Sequence, residues 1–133
     1  MKKLAGLFLI PLFLIGCSNE QTIEVSGIAA DEGTKVEIED MIRNTEEVQT
    51  GTAILVDDEL LVAIQVNPLL GYKEQKIEKR LQKEIEEKYP DLDVLVSSDF
   101  KMHWETQKLL KEDDEKKVTD EMKKLKSLAK EET

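Results

Sequence analysis

Between Thr34 and Asp99 the apolar positions switch between two spacings, and each switch marks a new element. Ile38, Met41, Ile42, Thr45 and Val48 recur at three- and four-residue steps, which places them on one helix face. Thr34 with Glu37 supplies a capping box for that helix. Thr52-Ala53-Ile54-Leu55-Val56 then reads as a strand, Asp57-Asp58-Glu59 as a turn, and Leu60 to Val66 as a returning strand. Asn67-Pro68 breaks that strand, since proline cannot donate to a ladder. After a short loop, Lys73 to Lys88 predicts a helix, with Ile77, Leu81 and Ile85 at four-residue steps and charged residues outside. Pro90 stops it, and Leu92 to Ser97 alternates as a third strand.

Helix, strand, strand, helix, strand makes a small α+β sandwich: a three-stranded sheet with two helices on one face. A three-residue hairpin loop pairs Val56 with Leu60, Ile54 with Val62 and Thr52 with Ile64, separating the faces cleanly. That register leaves Ala53, Leu55, Leu61, Ala63 and Leu95 on the face away from the helices. Contiguous exposed apolar surface marks a contact site, so these five residues are the candidate partner surface. Two covers are available: the C-terminal helices, bringing Trp104 and Leu110 across, or a second subunit or partner protein.

The flanks are polar. Residues 17–33 are broken by Gly27 and Gly33 and predict a flexible tether reaching about 20–25 Å. The alternative makes Thr22 to Ile28 an edge strand, because Ile23 and Val25 alternate with polar residues. Residues 34–99 form the α+β domain. Residues 100–133 predict a charged helical tail, capped by Asp99 and carrying Met102, Trp104, Leu109 and Leu110. A final stripe follows at Val118, Met122, Leu125 and Leu128/Ala129. So narrow a stripe predicts a solvated or frayed helix.

Residues 1–16 are of another kind. Lys2 and Lys3 precede an apolar run from Leu4 to Ile15, too short for the roughly 20 residues of a spanning helix. The run ends in Leu14-Ile15-Gly16-Cys17, which resembles the lipobox of bacterial lipoproteins. The resemblance implies cleavage before Cys17, diacylglycerol on its thiol and fatty acylation, such as palmitate, at the new N-terminus. Two acyl chains, at about 0.8 kcal/mol per buried methylene, hold a protein on a membrane almost permanently. The expected location is the extracytoplasmic face of the cell membrane.

Loss of Lys2 and Lys3 with the signal peptide moves the formal charge from −10 to −12. An acidic chain is a poor partner for nucleic acid, whose binding depends on neutralising phosphates. Cys17 is the only cysteine, so no disulfide can form within the monomer.

Candidate chemistry is sparse. His103 is the only histidine, and Glu105, two residues on, points away from it on a helix. Asp57-Asp58-Glu59 lacks the spaced oxygens and glycine of a calcium loop. Ser97-Ser98-Asp99 reads as a strand end feeding a helix cap. Trp104 and Tyr72 are too isolated to form a sugar-binding platform. With no phosphate loop, nucleophile elbow or paired-cysteine motif, the reading is a non-enzymatic protein with no cofactor and no metal.

The lipobox, the helix leading through Val48 to Thr52–Val56, the return Leu60–Val66 and the ending Val94-Leu95-Val96-Ser97-Ser98-Asp99 together resemble the YhcN/YlaJ sporulation lipoproteins. The similarity covers about Ile38 to Leu110 and the signal. It implies a membrane-attached protein of the developing spore, linked to germination or outgrowth, with no functional residues to carry over. The same element order is similar to BON domains, which are associated with membranes and phospholipid, and to ring-building modules of secretion and sporulation channels. Those resemblances imply a rival role in contacting lipid or assembling oligomers.

Overall fold

The structure, a computed structural model, describes residues 21–28 and 30–131. The chain runs β1 (Thr22–Ile28), α1 (Glu32–Arg43), β2 (Val48–Val56), β3 (Glu59–Val66), a 3-10 turn (Pro68–Lys73), α2 (Glu74–Lys88), β4 (Asp93–Ser97), α3 (Phe100–Leu109) and α4 (Glu115–Glu131). All four strands form one mixed sheet in the order β1-β2-β3-β4. The outer pairs are parallel and the central β2–β3 pair is antiparallel. The class is α+β, as the pattern predicts, with a fourth strand added.

That strand is β1, which corrects the expected tether. It lies parallel to β2, from Thr22 opposite Thr50 to Ile28 opposite Val56, and its Ile23 and Val25 pack against the core. Two alternating apolar residues are a weak signal alone. They suffice here because α1 returns the chain beside β1 and supplies a ladder.

Helix α1 starts about one turn earlier than predicted. Asp31 is its cap, with the carboxylate accepting from the Thr34 backbone N–H at 3.1 Å. Its buried residues are Ile38 and Ile42, and α2 contributes Ile77, Leu81 and Ile85 beside them. Gly51 lets α1 lie directly on β2: a Cβ there would meet Ile42 Cγ2 at 2.7 Å. Because α1 and α2 share a face while β2 and β3 run oppositely, the two crossovers have opposite hands. One of them is therefore left-handed, a hand only about 2% of such connections adopt.

The hairpin register differs from the predicted one. Asp57-Asp58 make a two-residue turn, with Asp57 at φ 54°. Two-residue hairpin turns need that left-handed region, which aspartate enters more cheaply than most residues. Val56 pairs with Glu59, Leu55 with Leu60, Ile54 with Leu61, Ala53 with Val62 and Thr52 with Ala63. Ala53, Leu55, Leu60, Val62 and Ile64 therefore face α1 and α2, while Ile54, Val56, Leu61 and Ala63 face the other way.

That second face is covered by α3 and α4 through Met102, Leu109, Val118, Met122 and Leu125. The stripe expected to lie in solvent is a lid over the sheet. α4 is also tied down by Lys126, only 4% exposed. Its ammonium donates to Glu59 Oε1 at 2.9 Å and to the Asp93 carbonyl, with the Asp93 carboxylate 3.7 Å away. Removing one partner of a buried pair strands the other's charge. Lys126→Met is expected to lower unfolding stability by about 3 kcal/mol, read by urea titration, whereas loss of the exposed Lys88–Glu37 pair should cost under about 1 kcal/mol.

Candidate functional site

Cys17 and the lipobox lie outside the described residues. Of the five residues expected to form a free partner surface, Ala53 and Leu55 lie in the core beneath α1 and α2. Leu61 and Ala63 are buried beneath α3 and α4, and Leu95 packs half-buried beside them. The five do not share a face, because the two-residue turn sends β2 the opposite way. Intramolecular cover is what the sheet has, with Leu110 partly buried in it. Trp104, expected to fold across, is instead 56% exposed. Filling of this interface makes Leu61→Ala expected to cost about 2–5 kcal/mol, whereas Leu128→Ala, on the exposed side of α4, should shift stability by less than about 0.5 kcal/mol. Denaturant unfolding followed by circular dichroism checks both.

The candidate chemical groups are dispersed. Asp57 and Asp58 sit in the hairpin turn, and Glu59 is occupied by Lys126. Ser97 Oγ accepts from the Asp99 backbone N–H at 3.1 Å, and Ser98 donates to Glu78 through both its backbone N–H and its hydroxyl. Those contacts join β4 to α3 and α2. His103 is half-buried on α3 and its Nδ1 has no hydrogen-bond partner. Glu105 is within 3.4 Å of Lys108. Among the described residues no group of three or more His, Cys, Asp or Glu side chains could hold a metal.

Among the described residues two titrating groups are shifted, and both shifts come from packing between elements. The Arg80 guanidinium, 2.7 Å from Glu47 Oε1, holds that carboxyl below its usual range. Burial pushes the Tyr89 phenol up to about 12, helped by its hydrogen bond to Glu37 across α1 and α2. A raised acid pKa means the fold favours the protonated phenol, so this contribution is complete below the ordinary value of 10.0 and fades as pH rises toward 12. In a Tyr72→Phe protein, where Tyr89 is the one remaining tyrosine, ultraviolet titration should give a midpoint near 12, not 10.0.

A different feature stands out on the surface. The register puts Thr22 (the start of β1), Thr50, Gln65 and Ser97 (the end of β4) at one end of the sheet. From this end emerge the 3-10 turn, carrying Leu69 and Tyr72, and α3, carrying Phe100 and Trp104. α3 then crosses the sheet, and Gln107 Nε2 donates to Thr52 Oγ1 at 2.7 Å. Leu69 is 83% exposed, Tyr72 81% and Phe100 61%. Phe100 and Trp104 meet edge to face with centroids 6.3 Å apart. Beside them Gln107, Lys108 and Lys111 help line an open groove of ≈ 540 Å³. Lys73 sits 5.6 Å above the Tyr72 ring. The opposite end is acidic, with Asp57, Asp58, Asp91 and Asp93 exposed.

None of these four apolar residues lies on the buried stripe of its own element, which is the trace they leave in the sequence. No helix of the described residues is long and apolar enough to cross a membrane. No family model, curated protein or solved structure matches the chain.

Proposed function

We propose that the protein is a lipoprotein of a spore-forming bacterium, held by diacylglycerol on Cys17 at the extracytoplasmic face of the cell membrane. There it serves as a non-enzymatic structural or interaction component associated with the spore envelope and germination. The observation that carries the anchor is Leu14-Ile15-Gly16-Cys17, set directly after a cationic start and an apolar run. Gly16 leaves room for a peptidase at the bond, and Cys17 is the chain's only thiol. The spore association draws its support from the resemblance over Ile38 to Leu110. A second reading, a module that contacts lipid, is favoured by the exposed apolar end.

Mass spectrometry of the native protein tests the anchor. The expected species begins at Cys17 and carries a thioether-linked diacylglycerol. Cys17→Ala is expected to abolish that species and leave residues 1–16 attached. Native protein with an unmodified thiol would overturn the proposal.

A further inference from the structure

The four most exposed large apolar side chains of the described residues, Leu69, Tyr72, Phe100 and Trp104, all lie at one end of the sheet. Val36 on α1 and Leu128 on α4 are also exposed, though less so, as single surface apolar residues commonly are. Phe100 and Trp104 touch, and Tyr72 lines a hollow with Ser98 and Asp99, directly before Phe100; with Leu69 at the same end, the four expose more apolar surface than scattered single residues do.

What covers the patch is indicated by where the chain leaves the fold. Gln21 is the first described residue, and its side-chain amide donates to the Thr45 and Val48 carbonyls at 3.2 and 3.1 Å. That fixes the exit of the chain at the start of β1, the same end as the patch. Cys17 is four residues earlier, and a fully extended chain of that length spans at most about 14 Å. A lipid on Cys17 therefore brings this end, and not the acidic one, to the headgroup layer.

The chemistry of the patch suits that layer. Aromatic rings with an apolar body and a polar edge concentrate at membrane–water interfaces, with lysines beside them. Lys73 lies over Tyr72, Lys108 and Lys111 flank Trp104, and Lys101 follows Phe100. Glu46, Glu47, Glu74 and Asp99 occupy the same end, so net charge does not drive the contact; insertion of the rings does. The exposed aspartates of the far end keep that pole away from anionic lipid.

The geometry points to a second, non-covalent membrane contact: Leu69, Tyr72, Phe100 and Trp104 insert among the headgroups of the bilayer that holds the Cys17 lipid. This rests on the anchor proposed above for its orientation, whereas the patch is read from the exposed side chains. The contact holds the domain against the membrane in one orientation, with the Asp57-Asp58 turn facing outward.

Trp104 is the only tryptophan, so its emission reports the contact without a label. The native full-length protein, its lipid state read by mass in the same sample, is placed in phosphatidylcholine–phosphatidylglycerol vesicles with plain or brominated acyl chains. Bromine is expected to reduce Trp104 emission roughly twofold, with a blue shift in the plain vesicles. The combined Leu69→Ser, Tyr72→Ser and Phe100→Ser variant should keep the lipid and the circular dichroism spectrum yet lose the quenching. Should that variant fail to fold, quenching of the native protein alone decides. Equal emission in both vesicles, with Trp104 open to acrylamide and the lipid present, would overturn the contact. Shielding that grows with protein density but ignores bromine identifies a second copy on the patch and also overturns it. If the mass shows a bare thiol, the anchor fails. The same vesicles then decide the patch by themselves: quenching of the unlipidated protein supports it, and unchanged emission overturns it.

Discussion

The two-residue turn at Asp57-Asp58 decides which side chains meet in each half of the core. A strand alternates its side chains with strict period two, so the length of a turn fixes which face of one strand joins which face of the next. With Asp57 in the left-handed region, Leu55 pairs with Leu60 and Ile54 with Leu61. Both faces of the hairpin are apolar in either register, and each must be roofed. α1 and α2 cover one, and α3 and α4 the other. The flanking parallel strands widen the plate, and Lys126 ties α4 to β3 and β4 at the acidic end.

Much of this was legible along the chain, and the failures share one cause. Ile77, Leu81 and Ile85 define α2 because a four-residue spacing needs no partner to be read. The hairpin strands are visible from their β-branched and leucine content, but not their register. Continuous apolar runs carry no alternation to choose between a two- and a three-residue loop. A three-residue loop would put Ala53 and Leu55 on the opposite face from the one they occupy. β1 was similarly underdetermined, because Ile23 and Val25 become a strand only when β2 offers its edge. The stripe of the tail is too narrow to predict burial without a partner face. Once Ile54, Val56, Leu61 and Ala63 are placed on one side, Val118, Met122 and Leu125 have a surface to meet.

The exposed end was the least legible feature, since it belongs to no single element. Leu69 and Tyr72 sit in a 3-10 turn after β3, whereas Phe100 and Trp104 follow β4. Only the parallel pairing of β3 and β4 brings the two exits together. The anchor motif is the reverse case: it is read entirely from sequence, and Cys17 lies ahead of the described residues. Each supplies what the other lacks. In the reading proposed above, the motif supplies the anchor and the fold the pole that would face it.

The path of β1 has a mechanical consequence. The strand begins at the pole where the N-terminal segment enters and runs to the far one, hydrogen-bonded to β2 over Thr22 to Ile28. Tension applied at Thr22 along the strand axis would load all of those bonds in shear together. Had the strand entered from the opposite pole, the same pull would peel them one at a time. The entry geometry thus suits a chain tugged from its N-terminus.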